Sequence, residues 1–233
     1  MRTEMENVFR RFQDFDMINI PDLLRFDTRS WEACNEAKRF CPNTMPHIRA
    51  IDIDMKKPLP MAEYLTENGI KEVLVLTGDP PQDFKRRIYP TTSVDLIRKF
   101  AKELPEIKVY AALDQYRSGV RTELEYCARK EDAGAVGFYT QPFFDERFLE
   151  LYAEHLEEYE VFWGISPILG INSLLYWETK NRAIFPKGFE PDWDCNVAAG
   201  KKVYKKIEEI GGNVYFMPIR TDAVKYLEEI LGK

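Results

Sequence analysis

Val73-Leu74-Val75-Leu76-Thr77-Gly78-Asp79-Pro80-Pro81 is an apolar run that stops abruptly in polar and turn-forming residues. Four consecutive branched aliphatic side chains read as a strand buried on both faces, and the two prolines forbid a helix directly after it. Comparable runs recur at Met17–Ile20, His47–Ile51, Val109–Leu113, Val136–Tyr139, Val161–Ile165 and Val214–Met217, making seven candidate strands. Between them the apolar spacing is helical over Trp31–Phe40, Pro60–Asn68, Ser93–Leu104, Arg121–Lys130, Glu146–Tyr159, Asn196–Ile210 and Asp222–Leu231. Glycine-containing exits at Asn68-Gly69-Ile70, Asp132-Ala133-Gly134-Ala135 and Gly211-Gly212-Asn213 suit the left-handed turn that ends a helix.

Alternation of this kind requires parallel strands joined by right-handed crossovers, in a closed (β/α)8 barrel or an open doubly wound sheet. Strand count and a length of 233 residues favour the barrel, yet an eighth strand is missing. The opening segment, where it is expected, carries Glu4, Glu6, Arg10 and Arg11 around Val8, Phe9 and Phe12, a pattern closer to a helix. The expected fold is α/β, a TIM-type (β/α)8 barrel that is incomplete or lacks the usual first strand. No Ser/Gly-rich linker interrupts it, so residues 1–233 are expected to form a single domain.

A hydrophobic fraction of 45% with 31% charged residues is ordinary globular composition and excludes disordered and collagen-like classes. The net charge of −6 gives no electrostatic reason to bind nucleic acid or an anionic membrane. No apolar run approaches the roughly 20 residues of a membrane span, and the first residues lack the apolar core of a secretion signal. A cytoplasmic location is expected. Cys34, Cys41, Cys127 and Cys195 are scattered without a CxxC pair, and His47 and His155 have no metal-ligand spacing, so no metal is expected. His155 reads as solvated, and His47 as a satisfied structural histidine.

In a parallel barrel the chemistry collects at the carboxyl ends of the strands. The residues there are Asp22, then Asp52 and Asp54, then Thr77-Gly78-Asp79, then Asp114, Thr140-Gln141, Ser166 and Arg220. Asp22, Asp52 and Asp114 are at least as readily explained as turn formers or helix N-caps. Thr77-Gly78-Asp79 carries more weight, because glycine permits close backbone approach to a ligand. So does Gln141, whose amide suits the hydrogen-bonding edge of a heterocycle.

Taken in order, Leu76-Thr77-Gly78-Asp79-Pro80-Pro81, Asp132-Ala133-Gly134-Ala135 and Thr140-Gln141-Pro142-Phe143-Phe144-Asp145 resemble motifs of the methylenetetrahydrofolate reductase family. Pro46-His47-Ile48-Arg49-Ala50-Ile51-Asp52, Gly164-Ile165-Ser166-Pro167-Ile168 and Tyr215-Phe216-Met217-Pro218-Ile219-Arg220 extend the resemblance, patchily, over residues 17 to 231. The resemblance implies a barrel that holds FAD and passes a hydride from NAD(P)H to 5,10-methylenetetrahydrofolate. It casts Asp79 as the catalytic carboxylate beside flavin and folate, and Gln141 and Arg220 as further substrate-binding residues. His47, Thr77, Gly78, Glu123 and Lys130 match its flavin-side positions.

The chain departs from the family in three places. The family's first strand supplies a glutamate as general acid, whereas Glu4 and Glu6 lie in a helix-like segment; Asp22 and Asp114 are the substitutes to weigh. After Ala111-Ala112 the family continues with Tyr-Pro-Glu and a histidine, whereas this chain reads Leu113-Asp114-Gln115-Tyr116-Arg117. The aromatic stretch from Leu174 to Phe189 has no counterpart in the common form, and core is the reading favoured over lid or oligomer contact. Three functions stay open: a short reductase, a non-catalytic folate- or flavin-binding subunit, and a barrel enzyme acting on another one-carbon carrier. A barrel edge left by a missing strand invites pairing, so a homo-oligomer or a subunit of a complex is expected.

Overall fold

The computed structural model describes residues 2–80 and 87–233, so Pro81 lies outside the described residues. Their element order is α1 (Arg2–Arg11), β1 (Ile18–Ile20), α2 (Ser30–Ala37), β2 (Thr44–Arg49), a 3-10 turn (Ala50–Asp52), α3 (Ala62–Glu67), β3 (Glu72–Leu76), α4 (Ser93–Glu103) and β4 (Lys108–Leu113), followed by α5 (Val120–Asp132), β5 (Gly137–Pro142), α6 (Glu146–His155), β6 (Glu160–Ile165), α7 (Ile171–Thr179), α8 (Trp193–Glu209), β7 (Asn213–Phe216) and α9 (Ala223–Leu231). All seven candidate strands form, and the pairs β1–β2, β2–β3, β3–β4 and β6–β7 are parallel. The class is α/β, with the topology of a TIM-type barrel lacking one strand. As the sequence pattern implies, the segment before β1 is helical. The chain divides into two compact units, Met1–Ala112 with Cys127–Gly137 and Leu113–Tyr126 with Phe138–Lys233.

In the first unit, β2 and β3 are in register at His47↔Leu74 and Arg49↔Leu76. Side chains alternate along a strand and registered partners share a face, so His47 and Arg49 lie with Leu74 and Leu76 on one face. Ile48 and Val75, both fully buried, occupy the other, against which α2 and α4 pack. The strand expected to run to Ile51 instead ends at Arg49, because Ala50–Asp52 closes into a 3-10 turn and Ile51 N–H donates to the Thr77 carbonyl at 3.1 Å. Helix α4 begins in a capping box: Asp95 N–H donates to Thr92 Oγ1, and Thr92 N–H to Asp95 Oδ2, each at 3.1 Å. The Thr92 hydroxyl, donating to Asp95 Oδ2 at 2.6 Å, and then the Thr92 N–H hold the Asp95 carboxyl below its usual range, and the box stabilises the helix by about 1 kcal/mol.

In the second unit β5 runs to Pro142, three residues beyond the expected end, and so places Thr140 and Gln141 within the strand. Helix α6 stops at His155 rather than Tyr159, where a turn from Tyr159 N–H to the Leu156 carbonyl takes over at 3.0 Å. Tyr139, Phe162 and Tyr215 form an aromatic ladder, with Tyr139 stacked on Phe162 at 4.2 Å and edge-on to Tyr215 at 5.2 Å. Gly200 lets α9 approach α8, since a Cβ there would fall 2.6 Å from Ile230 Cδ1.

The aromatic stretch from Leu174 to Phe189 includes most of α7 and builds core: Tyr116, Phe144, Ile168, Trp177 and Ala183 form one buried cluster, with Leu174, Phe185 and Phe189 against it. Phe144 stacks on Phe185 at 4.4 Å and meets Trp177 edge-on at 5.7 Å.

Candidate functional site

In the first unit the ends of β2 and β3 are tied together by Arg49. Its side chain is buried; Nη2 donates to the Asp79 carbonyl at 2.5 Å and Nε to Asp52 Oδ2 at 3.2 Å. Asp52 Oδ2 also accepts from Arg29 Nη2 at 3.2 Å, and Arg29 grips Asp22 through Nε at 3.2 Å and Nη2 at 2.5 Å. Two cations and two anions therefore alternate, which is what charges removed from water require. Both oxygens of Asp22 are taken by Arg29, and Oδ1 also by Ser30 N–H at 3.4 Å. Both carboxylate oxygens of Asp22 are thereby engaged within the protein.

Gly78 adopts φ +85°, and a Cβ there would lie 3.0 Å from Arg49 Cβ and 3.3 Å from Arg49 Cζ. The close approach this glycine permits within the protein is to Arg49. Thr77 and Asp79 are exposed, and the Asp79 carboxylate has no partner among the described residues. His47 departs from the satisfied structural histidine expected. Ser30 Oγ donates to its carbonyl at 2.7 Å, but its Nε2 is buried with no hydrogen-bond partner among the described residues. Desolvation lowers the imidazole to about 4, so the ring is neutral at physiological pH. Lys130, buried in α5, donates to the Ala112 carbonyl at 2.6 Å.

In the second unit the Gln141 peptide is held on both sides. Gln141 N–H donates to Gln115 Oε1 at 3.1 Å, and its carbonyl accepts from Gln115 Nε2 and from Thr140 Oγ1, each at 2.8 Å. Gly164 lies against it: a Cβ there would fall 3.0 Å from the Gln141 carbonyl carbon and oxygen. The Gln141 side-chain amide is half-buried and makes no hydrogen bond to the described residues.

Glu123, fully buried in α5, accepts from Arg117 Nη2 at 2.6 Å, Ser118 Oγ at 3.3 Å and Asp114 N–H at 3.3 Å, fastening the loop after β4. Asp114 Oδ1 accepts from Tyr116 N–H at 3.2 Å, the turn-forming role open to it from sequence. Ser166 Oγ donates to the Met217 carbonyl at 2.7 Å. Arg220 lies four residues beyond β7, exposed, with φ +55° and no partner among the described residues.

The site residues thus fall into two groups: His47, Thr77, Gly78, Asp79 and Lys130 in the first unit, and Gln141, Glu123 and Arg220 in the second. Sequence reasoning missed Arg49 and Gln115 as site-building residues. Each is a polar residue in or just after an apolar strand, and that placement is the one signal the sequence carried.

Residues 26–207 match the family model described as methylenetetrahydrofolate reductase. The chain belongs to the methylenetetrahydrofolate reductase family. The 5,10-methylenetetrahydrofolate reductase of Buchnera aphidicola subsp. Schizaphis graminum (strain Sg) is 26% identical over 149 residues, 62% of this chain and 51% of that protein. The Escherichia coli (strain K12) protein of the same name is 29% identical over 128 residues, 53% of this chain and 43% of its own. This family member thus spans about half the length of the curated relatives it matches.

An uncharacterized protein from Clostridium thermocellum that binds two copies of 5-methyl-5,6,7,8-tetrahydrofolic acid has the same fold, with a TM-score of 0.65 at 13% identity over 99% of this chain and 85% of that one. Oxaloacetate acetylhydrolase aligns with a TM-score of 0.60 at 10% identity, over 95% of this chain and 74% of its own. The barrel topology is therefore shared well beyond the reductase family, and any function must be argued from the site. No helix among the described residues is long and apolar enough to cross a membrane.

Proposed function

We propose that this chain binds a reduced folate and takes part in hydride transfer from NAD(P)H to 5,10-methylenetetrahydrofolate, with Gln141 as the pterin-binding amide. The observation that carries the reading is that the Gln141 peptide is saturated by Gln115 and Thr140 while its side-chain amide has no partner among the described residues. A primary amide offers two N–H donors and two acceptor lone pairs, which complements the mixed donor and acceptor edge of a pterin. Arg220, exposed and without a partner among the described residues, supplies a cation for a folate carboxylate. In the first unit, the exposed Asp79 carboxylate is the group assigned to the reaction centre, on a turn that Arg49 holds. Family membership and the folate-binding structural neighbour support this reading.

The residues of the first unit fit a flavin in part. His47 presents a buried Nε2 with no hydrogen-bond partner among the described residues, and exposed Thr77 directly follows β3, the strand paired with that of His47. When bound, FAD would supply the relay that accepts a hydride from the nicotinamide and delivers it to the folate. The chain's own contribution is to orient the pterin through Gln141 and to place the Asp79 carboxylate.

A second reading, a folate-binding subunit without its own redox step, is favoured by Glu123 and Lys130. Both match flavin-side positions, yet both are buried and fasten the chain itself, to Arg117 and Ser118 and to the Ala112 carbonyl. The absorption spectrum of the purified protein, titrated with NADH or NADPH and then 5,10-methylenetetrahydrofolate, separates the two. A flavin band bleached by nucleotide and restored by folate establishes the reductase. A colourless protein that binds folate without oxidising nucleotide establishes the subunit, and failure to bind folate overturns both.

A further inference from the structure

We infer that Gln115 is a positioning residue for folate binding, acting by clamping the peptide that carries Gln141; the inference rests on the reading of Gln141 given above. Gln115 follows β4 and is almost completely buried, with 2% of its surface exposed. Its amide oxygen accepts from Gln141 N–H at 3.1 Å, and its amide nitrogen donates to the carbonyls of Gln141 at 2.8 Å and Pro142 at 3.3 Å. One side chain therefore satisfies both the donor and the acceptor of a single residue, as a neighbouring strand would.

The surrounding contacts give Gln115 little freedom. Tyr152 Oη donates to the Gln115 carbonyl at 3.3 Å, and Tyr116 Oη donates to the Pro142 carbonyl at 2.7 Å. Burial pushes the Tyr116 phenol well above its usual range, so it remains a donor at any working pH. On the other side, Gly164 admits the Gln141 carbonyl to a distance that would crowd any Cβ, and Gly164 N–H donates to Thr140 Oγ1 at 2.9 Å. The Gln141 backbone is pinned between these groups while its amide is left over. Allowed rotamers depend on backbone dihedrals, so fixing the peptide narrows where that amide points. Less of its freedom is then lost when a ligand binds.

A residue that merely fills space would not need this pairing, since an apolar side chain of equal volume meets no desolvation penalty there. Gln115 acts through Gln141 and touches no ligand in this proposal. Its effect on folate affinity must therefore vanish once the Gln141 amide is gone.

The test is a double-mutant cycle read as the dissociation constant for 5-methyltetrahydrofolate, by quenching of tryptophan fluorescence in the full chain. The variants are Gln115→Met, which keeps volume, and Gln115→Glu, which keeps the acceptor for Gln141 N–H but turns an oxygen toward the two carbonyls. Each is made alone and with Gln141→Ala. Loss of all three hydrogen bonds, felt at the ligand only through the Gln141 amide, predicts about three- to tenfold weaker binding in Gln115→Met. In the Gln141→Ala background the same change is expected to have no further effect, and in Gln115→Met alone hydrogen exchange at the main-chain Gln141 N–H is expected to quicken. Additive losses, or unchanged affinity in folded Gln115→Met, overturn the inference while leaving Gln141 as a ligand residue. Unchanged affinity in Gln141→Ala overturns the underlying reading instead. Should Gln115→Met not fold, Gln115→Glu carries the same comparison, because its acceptor keeps half of the clamp.

Discussion

Arg49 Nη2 donates to the main-chain carbonyl of Asp79 at 2.5 Å, so the turn that presents the Asp79 carboxylate is held by a side chain from the neighbouring strand. The same guanidinium donates to Asp52, which Arg29 also contacts. Backbone placement and side-chain chemistry at Asp79 are thereby separated, and substitutions can address them one at a time. Arg49→Met is expected to destabilise the protein by about 1–3 kcal/mol, since the Asp79 carbonyl loses its donor and the half-buried Asp52 carboxylate one of its two cations. Asp79→Asn, at an exposed side chain without a partner among the described residues, is expected to stay within about 0.5 kcal/mol of the native protein while weakening folate binding. Denaturant midpoints and folate titration check the pair; equal stability loss in both would mean that the Asp79 side chain helps hold the turn.

Gly78 stands between those effects. Its φ of +85° is costly for any other residue, and an added Cβ would meet Arg49 Cβ at 3.0 Å. Gly78→Ala is expected to cost about 1–3 kcal/mol. In an Arg49→Gly background, which removes Cβ as well as the atoms beyond it, the steric part of that cost disappears and the dihedral part stays, so the penalty should shrink without vanishing. A penalty unchanged between backgrounds, measured by urea unfolding, would assign all of it to the backbone.

Much of this arrangement was legible in the sequence. The strands were found because runs such as Val73–Leu76 and Val161–Ile165 are branched and apolar beyond what a helix exit or turn contains. Asp79 and Gln141 stand out as candidates because polar residues at the ends of such runs face the ligand side in any parallel barrel. Arg49 and Gln115 escaped because their meaning is tertiary: nothing local shows that one reaches a carbonyl thirty positions on and the other a peptide twenty-six positions on. Thr140 and Gln141 were read as lying beyond their strand for the same reason, since their polar character suits a loop until Gln115 and Gly164 satisfy it. Helix α7 was hidden by composition, because Asn172, Ser173, Tyr176, Trp177 and Thr179 are weak helix formers, and its formation depends on burying Trp177.

His47 predicts a pH dependence. Its imidazole titrates near 4 in the folded protein against an ordinary value of 6.5, so the unfolded chain binds the extra proton first as pH falls. Stability is therefore complete above pH 6.5 and declines as pH drops from about 6.5 toward 4, levelling below that. A shift of this size amounts to about 3 kcal/mol at most. His47→Asn removes the group, and its midpoint should fall less than that of the native protein between pH 7 and pH 4.5, while carboxylate effects are common to both. Parallel pH profiles for the two proteins would show that the ring is not desolvated as its buried Nε2 indicates.

Arg220 carries the opposite balance of stability and binding. It holds φ at +55°, a region that costs a non-glycine residue about 1–2 kcal/mol, and no described residue pairs with its guanidinium. No bond from its side chain to the described residues offsets that cost, which is the pattern expected of a side chain kept for a ligand. Arg220→Gly is accordingly expected to raise the unfolding free energy by about 0.5–1 kcal/mol, the gain from relieving the dihedral being offset in part by the greater freedom of the unfolded chain. Folate affinity is expected to fall in the same variant, about tenfold if the guanidinium meets a carboxylate through a charge-assisted hydrogen bond. Arg220→Asn separates the two consequences, since asparagine tolerates the left-handed region and carries no charge. It should lose affinity as Arg220→Gly does, with a smaller gain in stability. A variant that loses stability and keeps its affinity would make Arg220 a structural residue of the turn after β7, and the cation for the folate carboxylate would then have to come from elsewhere in the chain.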